Sequence, residues 1–372
     1  MRIVIVGGGV LGTMHAWHAV RRGHQVVQIE REAEARGASV RNFGLIWVSG
    51  RASGPELETA LRARELWAEI GAEVPGVGFR ANGSLTICRT PGELAVARAA
   101  ASAPDGAARG FKLLDRAEAT ALNPALAGDF LAALWCERDA AVEPRVALPA
   151  LRAALSASAD YRWVPGREVR KLTPSGVRDD HGTGHDGDQV VLTTGAALAG
   201  LVRELAPDLP VRRVWLQMAQ TAPLGAALTT SVADGDSFRY YPAFAGPELD
   251  ALTAAQPQTG VAARHAMQLL LVQRLDGGLT IGDTHEYAEP FGFDEIEEPY
   301  EHLAEVASAL LGRPLPPIRR RWNGVYAQCL DPAAIVLRQP VGDGAVLVTA
   351  PGGRGMTCSP AIAEQTAKEL NW

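Results

Sequence analysis

Met1-Arg2-Ile3-Val4-Ile5-Val6-Gly7-Gly8-Gly9-Val10-Leu11-Gly12, running on to Glu30, decides the fold of this 372-residue chain. Ile3 to Val6 are a continuous apolar, β-branched run of the kind buried on both faces of a parallel sheet, and the glycines follow with no intervening loop. Gly7, Gly9 and Gly12 complete G-x-G-x-x-G. In that pattern the first glycine allows the tight turn, the second lets a pyrophosphate approach the backbone, and the third brings the following helix close to the strand. Val10 and Leu11 open that helix, whose N-terminus would receive the pyrophosphate. Leu11, Met14, His15, His18 and Ala19 recur at helical spacing until Gly23 ends it. A second strand, Gln25 to Ile29, ends on Glu30, where a carboxylate can accept hydrogen bonds from the ribose of an adenine dinucleotide. Strand, glycines, helix and acid together predict dinucleotide binding. A glycine-rich turn that merely packs leaves Glu30 unexplained.

The length suits two lobes rather than one small core. With 47% hydrophobic residues, 21% charged and a net charge of −6, the chain shows no basic footprint, which argues against nucleic acid or an anionic membrane as partner. The cofactor strand begins at residue 2 and no apolar run approaches the ~20 residues of a membrane span, so a cytoplasmic protein without a targeting segment is expected. Cys88, Cys136, Cys329 and Cys358 are far apart and form no C-x-x-C, which predicts reduced thiols.

After Glu30 and Arg31, the segment Arg36-Gly37-Ala38-Ser39-Val40-Arg41-Asn42-Phe43-Gly44 is dense in small and polar residues. A loop pressed against a cofactor and a plain surface loop both fit it. Pro55 to Ile70 reads as a helix, Phe79 to Cys88 as a hairpin turning on Asn82-Gly83, and Glu93 to Ala103 as a helix. Asp115 caps a helix to Leu122 with Glu118 three residues on, and Leu131 to Glu137 is a strand. Arg145 to Ser158 is helical. Strands follow at Tyr161 to Pro165 and Glu168 to Leu172, and then a hairpin whose loop runs from His181 to Asp188. The buried strand from Gln189 into Gly195 marks a return to the dinucleotide lobe. Arg213 to Thr221, Ser237 to Phe244, Met267 to Leu275 and Leu279 to Tyr287 alternate polar and apolar, which predicts an antiparallel sheet. Tyr300 to Leu311 is a helix, Arg319 to Tyr326 and Ala345 to Ala350 are strands, and a last helix runs from Ser359 to Leu370.

This order of parts resembles the D-amino acid oxidase-like superfamily of flavoproteins, which includes glycine oxidase and sarcosine oxidase. Four separated blocks carry the resemblance: Gly7 to Glu30, Ala38 to Gly44, Gln189 to Gly195, and Gly352-Gly353-Arg354-Gly355-Met356-Thr357. The resemblance implies an α/β FAD-binding Rossmann-like domain of the glutathione reductase type, interleaved with an α+β substrate domain on a mostly antiparallel sheet. The expected segments are 1–76, 141–209 and 319–372 for the cofactor and 77–140 and 210–318 for the substrate. It implies non-covalent FAD held by Gly7, Gly9, Val10, Leu11, Gly12, Glu30, Arg31, Ala38, Ser39, Arg41, Asn42, Gly44, Val169, Gly195 and Gly352 to Thr357. Non-covalent, because the flavin-linking cysteine of sarcosine oxidases falls at Gly324 here, with Cys329 beyond it.

The family's amino acid oxidases carry a carboxylate-clamping arginine on a late strand; here Tyr326 stands at that place. Together with Arg41 to Trp47, Gly282 to Tyr287 and Trp322 to Tyr326, this resembles a subgroup linked to aminophosphonate catabolism. The implied reaction is oxidation of a small amine with an anionic group, related to 2-aminoethylphosphonate or its N-methyl or hydroxy derivative, with O2 or another electron acceptor. Oxidation of glycine, sarcosine or a D-amino acid is the alternative. A second alternative is a non-catalytic protein that binds flavin and transfers electrons within a complex. A phosphonate needs many donors, and Arg239, Tyr241, His285, Tyr287 and Tyr326 are the candidates, with Tyr240 on the opposite strand face from Arg239 and Tyr241. No catalytic group beyond the flavin is required. His181 and His185 among Asp180, Asp186 and Asp188 resemble a metal cluster in composition, but a solvated hairpin is the simpler expectation, so no metal is assigned. An oligomer is compatible with all of this.

Overall fold

The computed structural model describes residues 1–372 apart from Asp343. Its first sheet is six-stranded, in the order Leu337–Gly342, Ala345–Thr349, Gln189–Leu192, Arg2–Val6, Gln25–Glu30, Tyr161–Pro165. All neighbours run parallel except the edge strand Leu337–Gly342, which pairs antiparallel with Ala345–Thr349 and was not expected from the sequence. Helices Val10–Arg21 and Gly355–Glu369 pack together on this sheet, with Met14, Trp17, Met356 and Ile362 in one core. His18 joins them directly, its Nε2 2.9 Å from the Pro360 carbonyl.

The second sheet has eight strands, in the order Ile318–Cys329, Val211–Pro223, Gly278–Gly282, Leu270–Gln273, Ser231–Ala233, Ser84–Cys88, Ala132–Cys136, Phe111–Asp115. Pairing is antiparallel apart from the Ser231–Ala233 and Ser84–Cys88 contact, so the sheet is mostly antiparallel as expected. The chain enters it twice and leaves it twice, and the two sheets are therefore interleaved in sequence.

Four differences from the sequence reading have local causes. Ser237 to Phe244 is not a strand: Ser237–Tyr240 is a helical turn and Pro242–Phe244 a 3-10 turn, and Pro242, lacking an amide, could not have served a central strand. Phe79 to Cys88 forms no hairpin, because Arg80 bridges to Ala141 and the Gly83 amide donates to the Asp139 carbonyl. The segment 319–372 is split, since Ile318–Cys329 pairs along its length with Val211–Pro223 in the second sheet. The last helix starts at Gly355, four residues before the expected Ser359, with Pro360 inside it. A proline there leaves the carbonyl of Met356 without its helical donor. Trp67 Nε1 supplies one at 2.9 Å.

The capping box at Asp115 and Glu118 is present as read, with Glu118 N 2.8 Å from Asp115 Oδ1 and Asp115 N 2.9 Å from Glu118 Oε2. The hairpin near His181 is only partly solvated. His185 lies on the strand Gly184–Asp186, buried, with Nε2 3.0 Å from Asp179 Oδ2 and Arg162 3.3 Å from its other nitrogen.

Candidate functional site

A cavity of about 1650 Å3 runs from the C-terminal ends of Arg2–Val6, Gln25–Glu30 and Gln189–Leu192 to the inner face of the second sheet at Leu216, Met218 and Leu270. One small ligand commonly occupies about 300–1,000 Å3, so there is room for a large cofactor and a second molecule.

At the sheet end the glycines are sterically fixed. Gly7 has φ +118°, and a side chain on Gly12 would place its Cβ 2.1 Å from the Gly7 carbonyl oxygen and 2.6 Å from Thr193 Oγ1. Gly12 does not itself line the cavity; it lets the helix sit close. Glu30 does line it, held by the Gly8 amide at 2.6 Å and the Glu32 amide at 3.1 Å. Of the two readings of the small-residue segment, the structure selects the inward one. Arg31, Ala38, Ser39, Arg41 and Asn42 line the cavity, and Ser39 Oγ accepts from the Val10 amide at 2.9 Å. Asn42 folds the loop on itself through Ala38 O, Ser39 O and the Gly44 amide. Gly44 is a turn residue, not a lining one: φ is +72°, and a Cβ would meet the Val142 carbonyl at 2.1 Å.

Val169, Gly195 and the whole run Gly352 to Thr357 line the same cavity. Gly355 starts a 15-residue helix there, so the positive end of its dipole lies at the cavity wall. Beside it Glu56 sits between two buried guanidiniums, Arg51 at 3.6 Å and Arg354 at 3.3 Å, which leaves one positive charge in excess. Trp47 Nε1 and Thr194 Oγ1 are buried, on cavity-lining residues, and have no hydrogen-bond partner among the described residues. A glycine cradle, a ribose-type acid, orphaned donors and excess positive charge at the far helix start fit a flavin adenine dinucleotide. The chain matches the FAD-dependent oxidoreductase (DAO) family over residues 2–369.

It belongs to that family. Curated relatives include a Rhizobium etli protein described as a thiamine biosynthesis oxidoreductase, ThiO, 33% identical over 206 residues, which are 54% of this chain and 56% of that one. One of the subunits of the opine oxidase of Rhizobium meliloti is 27% identical over 52% of this chain and 56% of its own. The chain thus spans little more than half the length of either. Among solved structures, glycine oxidase from Geobacillus kaustophilus has a TM-score of 0.78 at 21% identity, covering 100% of this chain and 95% of its own. L-proline dehydrogenase from P. horikoshii has a TM-score of 0.79 at 21% identity, covering 99% and 92%. These likenesses show the fold: the glycine oxidase type of FAD domain with a second, sheet-rich domain. FAD is the cofactor of the family.

At the other end of the cavity, Arg239, Tyr240, Tyr241, His285, Tyr287 and Tyr326 are brought together, though not by the strand alternation expected. Gly278–Gly282 ends before His285 and Tyr287. Arg239 is held away from a clamping role: its Nε is 3.0 Å from Asp236, and its terminal nitrogens bond Thr253 and, at 2.6 Å, the Gln256 carbonyl. Tyr240 stacks on His285 with centroids 4.2 Å apart, and its hydroxyl is 3.5 Å from that of Tyr326. Tyr287 lies parallel to His285 at 6.5 Å, under the Arg212 guanidinium at 4.3 Å. Tyr241 receives Gln268 Nε2 on its hydroxyl at 3.3 Å. Burial pushes the phenols of Tyr240, Tyr241 and Tyr326 up, so they stay neutral donors at physiological pH.

Sequence reading missed Trp47, Arg51, Glu56, Gln268 and Asp283, all of which line the cavity. Asp283 carried a usable signal, an acid directly after the apolar run Leu279-Thr280-Ile281-Gly282. The others lie on segments whose composition is ordinary.

Proposed function

We propose that this FAD-dependent oxidoreductase oxidises a small amine bearing an anionic group, best matched by an aminophosphonate of the 2-aminoethylphosphonate kind or its N-methyl derivative. One observation carries the reading: the late-strand position facing the cavity is Tyr326, and the nearby Arg239 is already engaged by Asp236, Thr253 and Gln256, so neither supplies an arginine clamp for a carboxylate. Hydroxyls of Tyr240, Tyr287 and Tyr326, with Arg212 over Tyr287, offer many separate donors instead, which suits a group with three acceptor oxygens. Among the described residues Arg212 has no carboxylate partner, only Gln328 Oε1 at 3.3 Å.

Gly7, Gly9, Val10, Leu11 and Glu30 would hold the adenosine and pyrophosphate half of FAD, and Gly352 to Thr357 the ring half. Bound there, FAD would supply the acceptor for a hydride from the carbon beside nitrogen. The helix start at Gly355 and the Arg51–Glu56–Arg354 cluster supply positive potential where negative charge grows. Tyr240 and Tyr326 orient the substrate, and the apolar wall of Leu216, Met218 and Leu270 excludes water until the imine is formed. Hydrolysis then yields an aldehyde and ammonia or a small amine. Binding is non-covalent: Cys329 Sγ is buried against the Ala350 carbonyl at 3.3 Å and does not line the cavity. Acid precipitation should release the flavin into the supernatant.

The test is anaerobic addition of 2-aminoethylphosphonate, its N-methyl derivative, glycine and sarcosine to the yellow protein. Bleaching by the phosphonates supports the reading; bleaching by glycine or sarcosine alone overturns it in favour of an amino acid oxidase. A second reading, a flavin protein passing electrons to a partner, is favoured by the relative that is named as one part of an opine oxidase. Flavin bleached by substrate but not reoxidised by O2 in the isolated chain would support it.

A further inference from the structure

If the cavity oxidises an amine, Asp283 is a buried acid on its wall to which that reading gives no task. Its side chain is 6% exposed. Oδ2 lies 3.6 Å from His285 Nε2, while Oδ1, like Gln268 Oε1, is sealed from solvent and has no hydrogen-bond partner among the described residues. His285 Nδ1 is 3.0 Å from the Ala266 carbonyl, which fixes the ring. Backbone bonds exchanged with Gln268, at 3.0 and 3.4 Å, fix Asp283 itself. A buried carboxylate oxygen with no donor is costly, and the missing donor is one a ligand can bring. Around it stand Tyr240, Tyr241, Tyr287 and Tyr326. Aromatic faces beside a carboxylate are the chemistry that holds an ammonium, methylated ones above all. The same carboxylate repels a phosphonate or carboxylate, which leaves the anionic end of the substrate to Arg212 at Tyr287.

We propose that Asp283 is a catalytic residue: its carboxylate receives the substrate as an alkylammonium and takes the proton from nitrogen. The N–H bond breaks, an O–H bond forms on Asp283, and the electron pair stays on nitrogen. The carbon then gives up its hydride to the bound oxidised flavin while that lone pair closes the C=N bond, and Asp283 later loses its proton to water. Burial raises the Asp283 carboxyl above the usual carboxylate range and so nearer to working pH, while His285 and the Gln268 side chain pull the other way. The other groups that face it are the four tyrosines and Gln268, with Arg51 over the Tyr241 ring and Asp139 behind.

The inference rests on the amine reading but is tested apart from it, by titrating the flavin-loaded protein with tetramethylammonium chloride and following the flavin absorbance. Wild type should bind it, more weakly at pH 5 than at pH 8, and Asp283→Asn should bind at least tenfold more weakly than wild type at pH 8. Equal affinity in wild type and Asp283→Asn, or no pH dependence in wild type, overturns the proposal. Should the variant fail to retain flavin, the wild-type pH dependence alone decides. In anaerobic reduction by N-methyl-2-aminoethylphosphonate, Asp283→Asn should need the free amine, its rate rising about tenfold per pH unit where wild type is flat. Superimposable profiles also refute it. If no amine bleaches the flavin yet tetramethylammonium binding depends on Asp283, the amine-oxidising reading falls and the cation site stands.

Discussion

Lowering the pH should loosen the junction that holds both cofactor-facing helices, and His15→Asn should remove a defined part of that sensitivity. His15 is fully buried, its Nδ1 2.7 Å from the Leu11 carbonyl and its Nε2 without a partner beside the edge of Trp372. Burial, with Arg338 and His18 nearby, lowers its pKa from 6.5 to about 3. His18, lowered to about 4 by burial and by Arg22, makes the bond to Pro360 that ties the first helix to the last. The unfolded imidazoles take protons near pH 6.5 that the folded ones refuse. Stability from each is therefore complete above that pH and is lost as pH falls towards the folded value. Between pH 7 and pH 5 the loss is about 2 kcal/mol per histidine. Asp234, which burial pushes up to about 8, acts in the opposite sense, because over the same range its folded carboxyl holds a proton that the unfolded one lacks. The raw pH profile mixes the two signs, and the difference between variant and wild type isolates His15. Asparagine keeps a donor for Leu11 O, so His15→Asn should unfold in urea at lower concentration at pH 7 yet lose about 2 kcal/mol less than wild type on going to pH 5. Equal losses in the two proteins would refute a buried neutral His15. Flavin release, followed by fluorescence, should begin over the same pH range.

Gly12→Ala should purify with little flavin and lose about 1–3 kcal/mol, because the new Cβ would lie 2.1 Å from a backbone oxygen that cannot move aside; a wild-type ratio of flavin to protein absorbance would count against it. Asp139→Ala removes a buried acceptor for the amides of Val48 and Ser49 and the hydroxyls of Ser49 and Ser84, at 2.5 to 2.9 Å. A loss of about 3–5 kcal/mol is expected in denaturant unfolding, and under about 1 kcal/mol would show that water replaces it. Thr90→Ala breaks the capping box with Glu93 and should cost about 1 kcal/mol with no change in bound flavin, as read by the same two assays.

The cofactor end was legible because each of its demands falls on a short stretch of chain. A pyrophosphate turn needs glycines at fixed offsets, and Gly7, Gly9 and Gly12 satisfy it whatever the rest of the chain does. Gly12 and Gly44 were read as cofactor residues and turn out to act through close packing, against Gly7 and Val142. Sequence marks a glycine that cannot be replaced without saying which neighbour forbids the side chain. The start of the last helix was misplaced for a related reason. Pro360 is a good first-turn residue by itself, and only the remote donor Trp67 lets the helix begin earlier.

The substrate end was legible in its residue types and not in its geometry. Arg239, Tyr240 and Tyr241 do face the cavity, but from a helical turn that breaks the strand alternation, and that turn hands Arg239 to Asp236 three residues back. A helical turn brings residues i and i+3 side by side where a strand would hold them apart, so the secondary structure decided whether the arginine was available. Asp283 shows the converse. On a strand its side chain would be one of an alternating series; beyond the end of Gly278–Gly282 it turns instead into a pocket walled by residues from three other segments, at Tyr240, Gln268 and Tyr326. Sequence separations of 15 to 43 residues lie between Asp283 and those walls. No local pattern can report a carboxylate left without a donor. That property belongs to the assembled cavity, and it is why the cationic end of the substrate, rather than its anionic end, is the part of the chemistry that the structure adds.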